Sequence, residues 1–143
     1  MKKIIIVSLA SIFISCFVFF HIFFSPERLF RLHVFPEIPE TIKNLKYYKD
    51  TNGMHGPFIF AFNVSQQDIQ NIIEHNNLIK YEKLPKFVNS LLLVLDKHKL
   101  SWWKSSSKLK AMEIYGKESN NSYEPHLKFI FFDKENKVYY LQI

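Results

Sequence analysis

Residues 126–143 read HLKFIFF, DKEN and KVYYLQI in succession. Two runs rich in aromatic and β-branched residues flank Asp133-Lys134-Glu135-Asn136, a polar four-residue turn, and this pattern predicts an antiparallel hairpin. Strand alternation places Leu127, Phe129 and Phe131 on one face and Lys128, Ile130 and Phe132 on the other. A chain that closes on two such strands needs partners for both faces, so the last strand is expected to be integral to a sheet. With helical periodicity upstream, the fold class is α+β: an antiparallel β-sheet packed with about two helices.

Moving back along the chain, Lys110 to Tyr115 forms a further strand candidate, set between the polar Ser105 to Ser107 loop and a hydrophilic stretch from Gly116 to Glu124. Pro85 suits the first residue of a helix, where its missing N–H costs nothing. Phe87, Val88, Leu91, Leu92, Val94 and Leu95 give that helix a broad apolar surface, so it should be the most buried one. Leu78 to Leu84 reads as a short strand or as irregular chain. Ser65-Gln66-Gln67-Asp68 is a capping box, in which the serine hydroxyl and the aspartate carboxylate each take a free amide. The helix it starts runs to about His75 and turns Ile69, Ile72 and Ile73 to a core. Ile42 to Lys49 and Pro57 to Val64 read as strands, joined by the turn-prone segment Asp50 to Gly56.

Residues 4–24, IIIVSLASIFISCFVFFHIFF, contain no charged residue, glycine or proline. As a helix these 21 residues span about 31 Å, close to the hydrocarbon thickness of a bilayer. Lys2 and Lys3 precede the run, while Arg28 and Arg31 after it are opposed by Glu27 and Glu37. The expectation is a single-pass anchor in the cytoplasmic (inner) membrane over 1–24, a juxtamembrane linker over 25–40 with prolines at 26, 36 and 39, and an extracytoplasmic domain over 41–143. No small-residue cleavage site closes the apolar run. The alternative is a lipoprotein anchored through Cys16, although Phe13 departs from the usual lipobox and Phe17 to Phe24 continue the apolar run.

Of 19 basic residues 17 lie beyond position 24, as do all 13 acidic ones, so the folded part carries +4 rather than the whole-chain +6. With hydrophobic residues at 48% and one cysteine, neither a disordered chain nor a disulfide or zinc-finger scaffold fits. The histidines at 33, 55, 75, 98 and 126 are scattered without metal-ligand spacing, and there is no glycine-rich phosphate loop, so no metal or cofactor is expected.

His55 sits between glycines with Asp50 close by, and a carboxylate can orient an imidazole for acid-base work. A solvated turn in which the glycines supply positive φ accounts for the same residues, and no nucleophile has a recognisable setting. Trp102 and Trp103 lie among Lys97, His98, Lys99, Lys104 and Lys108. Such interleaving suits single-stranded nucleic acid or anionic lipid, but the expected location argues against nucleic acid. The preferred reading is one buried tryptophan and one partly exposed one that anchors a protein partner.

Asp50, His55-Gly56, the helix after Ser65, Phe131-Phe132-Asp133 and Val138-Tyr139-Tyr140 together resemble a loosely defined set of small, uncharacterised bacterial proteins with an N-terminal signal or membrane anchor. That resemblance implies no catalytic role. The expected function is a membrane-anchored extracytoplasmic protein-binding module, immunity-like or part of a bacterial envelope complex, rather than an enzyme. The alternative is a small envelope hydrolase using His55 and Asp50.

Overall fold

A computed structural model describes residues 11–18, 25–49, 56–98, 100–118 and 127–143. The strands are β1 Lys43–Lys49, β2 Phe58–Asn63, β3 Ile79–Lys80, β4 Glu113–Glu118, β5 Leu127–Phe132 and β6 Lys137–Gln142. They form one antiparallel sheet in the order β1-β2-β6-β5-β4-β3. The fold is α+β, as expected, and β6 lies inside the sheet between β2 and β5.

Both faces of the sheet are covered. On one, Phe60, Phe62, Ile130, Phe132, Val138 and Tyr140 pack against α1 Pro26–His33 and α2 Gln66–His75. On the other, Ile59, Ala61, Phe129, Phe131, Tyr139 and Leu141 pack against α3 Lys86–Asp96 and the short α4 Ser106–Leu109. The alternation read from 127–132 holds, with the difference that neither set faces water.

Among the described residues four helices therefore pack on the sheet, against about two expected. The stretch 25–40, read as a linker, holds α1. The Ser25 hydroxyl accepts from the Arg28 amide, and Pro26 opens the first turn, where its fixed φ is already helical. Leu29, Phe30 and Val34 are buried with the sheet core, so α1 packs with the folded unit. Phe30 meets the edges of Phe60 and Phe62 at 6.2 and 5.2 Å between ring centroids. The polar loop over 105–107 likewise opens α4, which buries Leu109.

The helix over 86–96 buries one stripe. Val88, Leu92 and Leu95 form its inner stripe, whereas Phe87, Leu93 and Val94 point outward. Pro85 is its N-cap, one residue earlier in role than the sequence suggests. Three asparagines have positive φ: Asn44 at an irregularity in β1, Asn77 after α2, and Asn136 in the final turn. A short amide side chain tolerates this left-handed conformation better than most residues do.

Residues 11–18 are helical, with Ile12, Phe13, Ile14 and Phe17 exposed. Among the described residues no helix is long and apolar enough to cross a membrane. The rest of the segment read as an anchor lies outside the described residues.

Candidate functional site

Lys49, Phe58, Gln142, Lys128 and Lys117 are successive cross-strand neighbours on β1, β2, β6, β5 and β4. Directly opposed residues share a face of the sheet, so they form one row across its end, on the side covered by α1 and α2. Over this row α1 delivers His33, whose imidazole stacks on the Phe58 ring at 4.0 Å between centroids and 26° between planes. The Lys49 ammonium lies 4.8 Å from the centroid of the same ring.

Polar contacts tie the row to both helices. Gln142 places Nε2 3.1 Å from His33 Nδ1. The Tyr140 hydroxyl donates to the His33 carbonyl at 3.0 Å and lies 3.4 Å from Asn76 Oδ1. Asn76 closes α2, donating from Nδ2 to the carbonyls of Val34 at 2.7 Å and Ile72 at 3.0 Å, and it accepts from Lys128 Nζ at 3.0 Å. The Lys128 ammonium thus sits at a helix C-terminus, where the helix dipole favours a cation.

Burial, with the positive charges of Lys49 and Lys128 added, pushes the His33 imidazole below its usual range and favours the neutral ring. With Nδ1 accepting from Gln142, the ring proton is assigned to Nε2. Burial alone drives the Tyr140 hydroxyl far above the ordinary phenol range, so it acts only as a neutral donor and acceptor. Gln142 is 6% exposed, yet its Oε1 has no hydrogen-bond partner. An orphaned buried amide end costs about 1–3 kcal/mol. The arrangement is a set of cations and hydrogen-bond groups converging on one end of the sheet, suited to holding a polar ligand group.

The residues singled out from the sequence lie elsewhere. Asp50 and His55 fall outside the described residues, although the strand ends that flank their connection, Lys49 and Phe58, belong to this row. Trp102 and Trp103 pack on the opposite face, and both are half-buried, where one buried and one partly exposed were expected. Trp103 Nε1–H donates to Asp96 Oδ1 at 3.1 Å, and its ring meets Tyr139 edge-on at 5.7 Å. Asp96 also accepts from the Ser106 amide at 3.0 and 3.1 Å, so Trp103 belongs to the bracing of α3 against α4. Lys104 is paired with Asp133 at 2.8 Å. Among the described residues no group of three or more His, Cys, Asp or Glu is placed to hold a metal ion.

Sequence reasoning missed His33 because it lay in the supposed linker. The available signal was Lys128, the one charged residue on the strand face that also carries Ile130 and Phe132. It also missed the outer side of α3, where Phe87, Leu93 and Val94 are 43–51% exposed. Beside the start of that helix a cleft of about 290 Å³ is lined by Glu82, Lys83, Lys86, Asn89 and Lys110, with Leu84 and Ile114.

No family model, curated protein or solved structure matches the chain. Functional assignment therefore rests on the chain's own residues.

Proposed function

We propose that the protein is a membrane-anchored, extracytoplasmic protein-binding module of a bacterial envelope. The observation that carries the reading is the outer side of α3. Val88, Leu92 and Leu95 already give this helix a core-facing stripe, and Phe87, Leu93 and Val94 form a second apolar surface that is about half exposed. A helix apolar on two sides needs two partners, and exposed apolar patches on small domains mark interaction sites. Lys86 and Lys97 flank the patch, while Asp96 is turned inward to Trp103 and Ser106. This moves the expected docking surface from Trp102 and Trp103 to the neighbouring helix.

The anchor is supported by the uncharged run over 4–24 and by residues 11–18, where Phe13 is 80% exposed, an unfavourable arrangement in water and a natural one in lipid. Ser25 alone separates that run from α1, so the domain sits close against the bilayer. Helix α1 advances from Phe62 toward Phe58, since Phe30 meets the former and His33 the latter. The start of α1 therefore lies toward the end of the sheet remote from the His33 row.

The test is site-directed photocrosslinking in native membranes from the full-length chain, with the reactive group at Ser90 on the outer side of α3 or, as control, at Gln70 on α2. Capture of one discrete protein from Ser90 and not from Gln70 is expected. Adducts to lipid alone, or equal capture from both positions, would count against the reading. Orientation is checked separately with Lys134→Cys and an impermeant thiol reagent: labelling of intact spheroplasts is expected, and labelling only after lysis reverses the topology.

A further inference from the structure

We infer that the partner docked on α3 presents an acidic amphipathic helix. The inference rests on the reading of α3 as a docking surface and adds the chemistry of what that surface holds. Two ridges run along the outward side of the helix. Phe87, Leu91 and Val94 stand at i, i+4 and i+7, with Phe87 and Val94 43% and 49% exposed and Leu91 half-buried. Lys86, Ser90, Leu93 and Lys97 stand at i, i+4, i+7 and i+11 beside them, and all four are exposed. An apolar ridge next to a lysine-bearing one, over about three turns, is a surface that a second helix reads along its length. Apolar side chains of that helix interdigitate with the first ridge, and charges on its flank pair with the second. Ser90 keeps the middle of the lysine ridge low, and its hydroxyl is turned back to the Lys86 carbonyl.

The sign of the partner follows from the charges. Among the described residues Lys86 and Lys97 make no ion pair, and neither do Lys83 and Lys110 in the cleft beside the start of the helix. Helix α3 has no acidic residue in its first turn, and its Asp96 carboxylate is taken by Trp103 and Ser106. Glu82 offsets one of the three lysines lining the cleft, so an excess of two positive charges remains there. Asn89 lines the same cleft with its Oδ1 buried and without a partner. An occupant at this end has to bring carboxylates for the lysines and an N–H for that oxygen. A polypeptide with acidic side chains brings both, whereas a lone carboxylate or a phosphate diester brings only the first. A second copy of this chain would set lysine against lysine, and the uncharged run over 4–24 has nothing to pair with them.

The experiment takes the adduct formed from Ser90 by the full-length chain in native membranes, and reads where it lies and how its yield responds to charge. Mass spectrometry is expected to place it in a partner segment with apolar residues at helical spacing and an excess of Asp and Glu. Lys86→Glu should lower the yield roughly fivefold, the scale of reversing one exposed interfacial charge. Lys86→Arg should keep it. Lys134→Glu, in the turn before β6, imposes the same change of net charge and should leave the yield unaltered. Raising salt from about 0.05 to about 0.5 M should lower the yield of the unsubstituted chain, a readout that needs no variant to fold. An adduct in a basic or uncharged segment or in a second copy of this chain would overturn the acidic helix and leave the docking role of α3 standing. A yield indifferent to both salt and Lys86→Glu, or lowered equally by Lys86→Glu and Lys134→Glu, would do the same. Adducts to lipid alone would remove both readings.

Discussion

Gln142, next to last in the chain, meets His33 of the first helix after the apolar run, with Nε2 3.1 Å from Nδ1 across 109 positions of sequence. Tyr140 makes a similar span, its hydroxyl donating to the His33 carbonyl across 107 positions. The last strand and the residues nearest the apolar segment are therefore fastened to each other directly.

His33 makes stability depend on pH. Burial, Lys49 and Lys128 lower its pKa in the folded protein below the usual 6.5, so the unfolded chain takes up the proton first. The group's contribution is complete above the unfolded value and is lost as pH falls below it toward the folded value. Urea midpoints should thus drop on acidification from about pH 7 to pH 5, and His33→Gln should flatten that part of the profile. The lowered carboxylates of Asp68 and Asp133 act in a separate window, below the usual 3.8. An unchanged slope in His33→Gln would assign the effect to another group.

The sheet was legible because its residues obey a two-residue period that local sequence displays: Phe129 and Phe131 go one way, Ile130 and Phe132 the other. The capped start of α2 was legible for the same local reason. The site was not, because it is assembled from β1, β2, β6, β5, β4 and α1, and only strand order brings Lys49, Gln142 and Lys128 side by side. The prolines at 26 and 36 concealed α1. A proline opens a helix as readily as it stops one, and only the burial of Phe30 distinguishes the two. In α3 the apolar residues extend beyond its inner stripe of Val88, Leu92 and Leu95, so composition alone did not say which of them face the core.

Gly116 is held by its neighbour on β5. A Cβ built there would come within 3.0 Å of three ring carbons of Phe129, its direct cross-strand partner. Gly116→Ala should therefore destabilise by about 1–3 kcal/mol, the usual cost of overpacking. The clash is with a ring and not with backbone, so Phe129→Leu in the same chain should recover part of the loss. Chemical denaturation of the two single variants and the double variant measures the coupling, and strict additivity would show that the ring is not the obstacle.

The cap of α2 is a relay more than the reciprocal box its sequence suggests. The Ser65 hydroxyl accepts from the Asp68 amide at 3.1 Å and donates to the Asp68 carboxylate at 2.6 Å. The Ser65 amide goes instead to the Thr41 hydroxyl at 3.1 Å, which donates to the same carboxylate at 2.5 Å. Ser65→Ala should cost about 1 kcal/mol, as loss of an N-cap does. Thr41→Val, far away in sequence, should cost a comparable amount and be non-additive with Asp68→Ala. Additive losses in that pair would mean that Thr41 acts without the carboxylate.

Removing residues 139–143 should abolish cooperative folding. Tyr139, Tyr140, Leu141 and Gln142 are all buried, and β6 joins β2 to β5, so the deletion divides the sheet into two parts. At about 2 kcal/mol or more for each large buried side chain, the loss approaches the entire stability of a small domain. Tyr140→Phe is the conservative companion. It keeps the ring in the core and removes only the hydroxyl that serves the His33 carbonyl and Asn76, so it should cost about 1–2 kcal/mol and leave a sharp transition. Because that hydroxyl holds α1 and α2 over the row, the variant should also broaden the His33 ring signals in NMR. A truncated chain that still melts cooperatively would place β6 outside the core of the fold.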